Sequence, residues 1–122
     1  MNEQWLPIRL SIFEILDCYS VSNLGRVRRD RGSQGARAGR ILKPWKCPTR
    51  NGVYLKVELW QGGMSCKRFV HRLVAIAFIS NPEYKPEVNH FNCDTFDNRA
   101  ENLEWATRSE QEAHKRFMRA TA

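Results

Sequence analysis

One histidine lies in surroundings that favour acid–base chemistry. His90 ends a short β-prone run, residues 87–90, and is followed by a polar loop rich in Asn and Asp. An imidazole has an ordinary pKa of about 6.5, so it can accept a proton near neutral pH. A lone histidine is usually solvated or part of a core. The number of amide and carboxylate groups around His90, in a basic chain, favours a functional role instead.

The composition limits the size of the fold and the class of partner that such a site can bind. The chain has 122 residues, of which 42% are hydrophobic, enough for one domain with a modest core. Its net charge is +7 and its pI about 9.6, which favours a polyanionic partner, most often nucleic acid. The alternative is a basic protein whose charge serves solubility alone.

Cysteine usage and hydropathy indicate the compartment. None of the four cysteines (Cys18, Cys47, Cys66 and Cys93) belongs to a Cys-x-x-Cys pair, so a structural zinc site is weakly supported. The sequence resembles no secretory signal and has no apolar run near the roughly 20 residues of a membrane span. We expect reduced thiols, no membrane and a cytoplasmic location.

The N-terminal half predicts short strands that present cations. Residues 19–22 alternate as a half-buried strand does, residues 22–25 form a turn, and residues 26–28 alternate again. Residues 26–50 hold nine Lys or Arg against one acid, Asp30. Such a run is usually a solvated face, but here its density between strands favours a phosphate-binding surface. Residues 30–39 are predicted to form a flexible loop, and residues 40–44 a further short strand.

The C-terminal half predicts a hairpin and two helices. Residues 54–60 and 66–70 alternate around the turn at 61–63, and we expect Trp60 in the core. Apolar residues within 71–78 follow helical spacing. A last helix begins after Thr107 or Ser109 and runs to about Met118. The fold class is therefore α+β.

Several motifs carry a resemblance to a known family. They are VHRLVA at 70–75, NP at 81–82, NH at 89–90, Asn98, and ENLEW at 101–105, preceded by YSVSNLGRV at 19–27 and GRILKP at 39–44. In this order they resemble the HNH endonucleases of the phage homing type, over residues 4 to 115. The resemblance implies an N-terminal antiparallel β-sheet module that contacts DNA, residues 1–70, followed by a ββα-metal nuclease motif, residues 71–122.

The resemblance also implies an activity. Such a nuclease nicks or cleaves double-stranded DNA by hydrolysis, with one divalent metal on the scissile phosphate. His90 falls at the position of the general base, and Asn102 at that of the asparagine that orients it. His71 and Trp105 are expected to be structural. A homodimer is one way in which such a protein cuts both strands.

The metal-ligand positions depart from the family pattern. Asn89 takes the strand position, where relatives commonly carry Asp or Asn. Gln111 takes the helix position, where relatives commonly carry Asn or His. His114, three residues on, is an assisting ligand or phosphate contact. Two neutral amides would bind Mg²⁺, the ion we expect, or Mn²⁺ only weakly without DNA phosphate. In the loop, Cys93 replaces a glycine that often needs a positive φ.

DNA contacts are implied for a set of basic residues: Arg26, Arg28, Arg29, Arg40, Lys43, Lys46 and Arg72. Phosphate anchoring is the safer expectation for them, and Arg72 is equally a candidate to bind a loop carbonyl. Two other readings stay open. One is an HNH-fold protein that binds DNA or regulates, with weakened or lost catalysis. The other is a basic protein-interaction module.

Overall fold

A short central helix organises the chain. The computed structural model describes residues 2–11, 14–31 and 38–121, so residues 32–37 of the predicted 30–39 loop lie outside the described residues. Helix α1, Val70–Phe78, buries Val70, His71, Leu73, Val74 and Ala75. It packs against strands of three small antiparallel sheets. Within the described ranges, neither helix is long and apolar enough to cross a membrane.

The first sheet is formed by β1 (Trp5–Ser11), β2 (Glu14–Ser22) and β3 (Val27–Arg29) in that order. The predicted β2–β3 hairpin is confirmed, with Gly25 in the turn at a φ of +89°. The predicted strand at 40–44 is reduced to one bridge, between Ile41 and Arg28. Pro44 has no N–H to donate, so it cannot extend the ladder.

The second sheet is formed by β4 (Trp45–Thr49), β5 (Gly52–Gln61) and β6 (Met64–Phe69). The predicted β5–β6 pairing is confirmed, whereas β4 was not predicted. Its sequence, WKCPT, is mostly exposed and contains a proline, which is typical of an edge strand. Trp60 is 48% exposed, so its expected place in the core is wrong.

The last unit is a hairpin followed by a helix. Strands β7 (Glu87–His90) and β8 (Leu103–Ala106) pair antiparallel, and a 3₁₀ helix, Ala100–Asn102, precedes β8. Helix α2 is Arg108–Thr121. Thr107 caps it: its hydroxyl accepts from the Glu110 N–H at 3.1 Å, and the Glu110 carboxylate accepts from the Thr107 N–H at 2.9 Å. This reciprocal pair is a capping box.

One continuous core joins these units, and the α+β class is confirmed. Buried side chains of β1, β2, β3, β5, β7 and β8 meet α1 in a single cluster. Trp105 packs against this cluster and donates its indole N–H to the Ile79 carbonyl at 3.0 Å. All four cysteines fall in the described ranges and are free thiols.

Candidate active site

His90 lies at the end of β7 with its ring inside the protein. The β7–β8 register pairs His90 with Leu103, and only 4% of the residue is exposed. The ring centroid lies 5.2 Å from that of His71 on α1 and 6.0 Å from that of Tyr54 on β5. Three elements therefore fix the orientation of one imidazole.

The ring has a hydrogen-bond partner different from the predicted one. His90 Nε2 lies 2.8 Å from Asn98 Oδ1, in the loop between the strands. Asn102, predicted to orient the ring, ties the loop together: its Oδ1 accepts from the Asn92 N–H at 3.1 Å. Its Nδ2 donates to Asn92 Oδ1 and to the Asp97 carbonyl, both at 2.9 Å. Asn102 turns away because it ends the 3₁₀ helix, from which its side chain reaches the start of the loop.

The bond to Asn98 decides which ring nitrogen is basic. An amide oxygen can only accept, so Nε2 carries the proton and Nδ1 keeps its lone pair. Burial lowers the pKa of His90, against the opposing effects of the Asn98 bond and of the charges of Asp94 and Asp97. The ring is neutral at physiological pH, and the two carboxylates stabilise the imidazolium that forms when it takes up a proton.

The loop between β7 and β8, which contains Asn98, contacts the turn between β2 and β3 of the N-terminal sheet. The Ala100 N–H donates to the Asn23 carbonyl at 2.8 Å. A Cβ at Gly25 would come within 3.0 Å of the Asn98 carbonyl oxygen, so a side chain there would displace the residue that holds His90. The N-terminal sheet therefore positions the loop as well as offering cations.

The two amide side chains predicted as metal ligands lie on β7 and on the helix that contacts it. Asn89 is buried and donates its Nδ2 to Glu104 Oε1 on β8 at 3.1 Å, which leaves its Oδ1 as an acceptor. Gln111 on α2 donates its Nε2 to the Val88 carbonyl at 3.2 Å, which leaves its Oε1. Gln111 thus contacts β7 at Val88, the residue before Asn89.

This donor set fits a hard cation. Within the described residues, no group of three or more His, Cys, Asp or Glu side chains is arranged to hold a metal. Mg²⁺ and Mn²⁺ accept amide oxygens, carboxylates, waters and substrate phosphates, so Asn89 and Gln111 with the nearby Glu104 carboxylate suit them better than Zn²⁺. A site with so few protein ligands is expected to be weak without DNA.

The comparisons with known proteins agree with this geometry. Residues 68–113 match the family model for HNH endonucleases. The structure of the HNH homing endonuclease I-HmuI, solved to describe its DNA binding and cleavage, superposes with a TM-score of 0.71 and 28% identity, over 98% of this chain and 60% of that one. Residues 68–113 therefore carry the motif of the HNH endonuclease family.

Two viral HNH relatives come from Acanthamoeba polyphaga mimivirus. The uncharacterized HNH endonuclease L247 is 39% identical over 116 residues, 93% of this chain. The uncharacterized HNH endonuclease L245 is 36% identical over 78 residues, 64% of this chain. The chain spans only 26% and 23% of the length of these relatives.

His71, the other histidine that the sequence offers and that is expected to be structural, lies beside His90. It is buried, its ring packs 5.0 Å from Tyr54 and 5.5 Å from Phe69, and its Nδ1 has no hydrogen-bond partner among the described residues. It also lines a cavity of about 260 Å³ that contains Tyr54 and Gln111. Burial, followed by the charges of His90 and Arg72, lowers the pKa of His71 to about 3.

The neutral His71 makes the stability of the fold depend on pH. Its pKa is lower in the folded than in the unfolded chain, so its contribution is complete above about pH 6.5 and is lost as the pH falls toward 3. From about pH 7.5 to about pH 5, the free energy of unfolding should drop by about 2 kcal/mol. Because the pKa of His90 is also lowered by burial, it adds to the drop.

Urea unfolding of wild type and His71→Phe at both pH values measures this dependence. The variant removes the titrating ring but keeps an aromatic body beside Tyr54 and Phe69. It should show a smaller drop, whereas His114→Gln, which changes a histidine outside the core, should keep the wild-type drop. An equal drop in wild type and His71→Phe would contradict the assignment.

Two other predicted features of the HNH motif are placed by the structure. His114 Nε2 lies 2.9 Å from the Phe91 carbonyl, to which it donates, so only its Nδ1 is left for a ligand or a phosphate. Cys93 takes a φ of +62°, the left-handed conformation anticipated from the glycine it replaces. For a residue with a Cβ this costs about 1–2 kcal/mol.

The predicted DNA-binding residues fall into two groups. Arg26 pairs with Glu3, and Arg28 pairs with Asp30 at 3.0 Å. Arg72 donates to the Pro86 carbonyl at 2.8 Å, one of the two contacts expected of it. Lys46 lies 5.2 Å from the Phe96 ring centroid. The remaining three, Arg29, Arg40 and Lys43, line one cleft on the N-terminal half.

Proposed function

We propose that this chain is a metal-dependent endonuclease that hydrolyses phosphodiester bonds of double-stranded DNA. The observation that carries the proposal is the buried imidazole of His90, bound through Nε2 to Asn98 and left with a basic Nδ1. The HNH motif of residues 68–113 and the likeness to I-HmuI, whose structure describes DNA binding and cleavage, support the same chemistry.

His90 would act as the general base. Its Nδ1 takes a proton from the attacking water, and the side-chain oxygen Oδ1 of Asn98 keeps the ring in the tautomer that permits this. The charges of Asp94 and Asp97 favour the imidazolium that results. Asn102 holds the loop that carries Asn98, so it acts on the ring through that loop.

Asn89 and Gln111 would hold one divalent cation, with His114 as an assisting ligand or phosphate contact. When bound, the cation supplies positive charge to the scissile phosphate and to the leaving oxygen. The Asn89 amide keeps its oxygen directed away from Glu104 because its nitrogen is the donor to that carboxylate. Mg²⁺ is the expected ion, and Mn²⁺ suits the same oxygen ligands.

The N-terminal half, residues 1–70, would bind the duplex beside the motif in residues 71–122. Its cations suit phosphate contacts, which give affinity without sequence readout. One site per chain makes a nick the expected product of a monomer. A homodimer with two sites would cut both strands.

A plasmid assay tests the proposal. The protein is incubated with supercoiled plasmid in Mg²⁺, and nicked or linear circles are expected to accumulate with time. The second candidate, a DNA-binding protein of the HNH fold, is favoured by the absence of a carboxylate at position 89. It predicts a gel shift of the same plasmid and no cutting in Mg²⁺ or Mn²⁺, a result that would overturn the nuclease proposal.

A further inference from the structure

A cleft on the N-terminal half combines exposed indoles with cations. It has a volume of about 290 Å³ and lies between the first and second sheets. Trp45 and Trp60 line it and are 38% and 48% exposed. Large apolar side chains exposed together in one concavity are uncommon on a free surface, and such concavities mark binding sites.

The floor of the cleft is built from a fixed hydroxyl. Tyr19 is 1% exposed, and its oxygen accepts from the Trp60 backbone N–H at 2.9 Å and from Arg29 Nη1 at 2.7 Å. The first of these bonds ties β2 to β5 at Trp60. The cleft is therefore preorganised rather than formed by loose side chains.

The rim of the cleft carries cations available to a ligand. In the part of the chain that the structure describes, Arg40 and Lys43 form no ion pair, in contrast to Arg26 and Arg28. Glu58 also lines the cleft and forms no ion pair there. An anionic ligand with a flat ring and a hydrogen-bond donor matches this combination of groups.

A nucleotide has these properties. Indole faces stack on bases, Lys and Arg bind the phosphate, and a carboxylate accepts a hydrogen bond from an exocyclic amino group. Bases inside a duplex have both faces covered by their neighbours, so the indoles can stack only on a base that has left the stack.

The cleft and His90 lie toward opposite ends of β5. Tyr54, whose ring lies 6.0 Å from that of His90, and Trp60 are six residues apart on this strand. At about 3.3 Å per residue, Tyr54 and Trp60 leave the strand about 20 Å apart. A separation of this order spans several nucleotide steps of B-form DNA, at about 3.4 Å each.

We propose that this cleft binds one unstacked nucleotide of the DNA substrate, several positions from the scissile phosphate. The inference rests on the proposed function, since it takes DNA as the ligand. It adds a second contact point that reads the local opening of the duplex rather than its base sequence.

Binding to two matched duplexes tests the inference. One is a fully paired, end-labelled duplex, and the other carries a single unpaired 2-aminopurine at its centre. Wild type should bind the second duplex about tenfold more tightly, because base–indole stacking is worth a factor of this order. The emission of the 2-aminopurine should fall on binding as the base stacks on an indole.

Trp60→Ala and Trp45→Ala should each reduce the preference and the quenching, while binding to the paired duplex stays within about twofold, since phosphate contacts supply that affinity. Tyr84→Ala, which removes an exposed aromatic residue outside the cleft, should keep the wild-type preference. Equal binding of the two duplexes by wild type, or a preference that survives in both tryptophan variants, would overturn the inference. Plasmid nicking by wild type is measured separately. If wild type nicks the plasmid but shows no preference for the duplex with the unpaired base, the result refutes nucleotide binding in the cleft and leaves the proposed nuclease activity standing.

Discussion

Replacing His90 by alanine should lower the single-turnover rate of plasmid nicking in Mg²⁺ by about 10²- to 10⁴-fold, the usual contribution of a general base. The reason is geometric: His90 Nε2 is bound to Asn98 Oδ1, and within the described site its Nδ1 is the basic atom whose lone pair this bond sets free. The affinity for DNA should change little, because the cations on the N-terminal half are untouched by the substitution.

The control for this prediction separates chemistry from folding. The buried ring packs against His71 and Tyr54, so alanine leaves a cavity that lowers stability. His90→Gln fills more of that space and still lacks a basic nitrogen, so it should be as inactive as alanine while unfolding closer to wild type. Nicking by either variant at the wild-type rate, at equal DNA saturation, would remove His90 from the mechanism.

Chelation of divalent cations should abolish nicking while DNA binding persists. The expected ligands are neutral amides, and the phosphate completes their coordination, so the cation is held weakly and EDTA removes it. Added Mg²⁺ or Mn²⁺ should restore the rate. Binding should survive because Lys and Arg contacts to phosphate do not need the cation.

Asn89→Asp gives this prediction a readout besides activity. In wild type the Asn89 amide donates to Glu104, whereas an aspartate there faces a second carboxylate. We expect the variant to unfold at a lower temperature in EDTA and to gain more thermal stability from Mg²⁺ than wild type does, since a cation relieves the repulsion. Nicking that continues in EDTA, or an equal response of both proteins to Mg²⁺, would contradict the assignment of the cation to Asn89 and Gln111.

The central helix and the hairpin that carries His90 were predictable because residue spacing, turn composition and helix capping each depend on only a few neighbouring residues. The apolar spacing of 71–78 matches the face that α1 buries, and the strands of the hairpin flank a run of Asn and Asp that cannot continue a strand. The capping box at Thr107 is likewise local. The order of the motifs added the proposed role of His90 as general base.

The partners of His90 were not predictable because they depend on how the loop and three sheets meet. Asn98 and Asn102 have the same side chain in one loop, and the direction in which each points follows from the 3₁₀ helix and the contact with Gly25. In the sequence, nothing distinguishes His71 from the other residues of a buried helix. Its contact with His90 comes from the packing of α1 against β7.

Trp60 shows the limit of alternation along a strand. Residues 54–60 alternate, and in β5 Tyr54, Val57 and Leu59 are buried, so the inward phase shifts by one residue within the strand. After this shift Trp60 faces outward, into the cleft that it shares with Trp45. Such a shift follows from tertiary packing, which the pattern of residue types does not record.

The measurement that tests the account most directly is the tautomer of His90, read from the two ring ¹⁵N shifts near neutral pH. With three histidines in the chain, His71→Phe and His114→Gln make the assignment simple. A neutral ring with the proton on Nε2 and a bare Nδ1 is the predicted result, and Asn98→Ala should weaken that preference. A ring protonated on Nδ1, or on both nitrogens, would contradict a base held by Asn98.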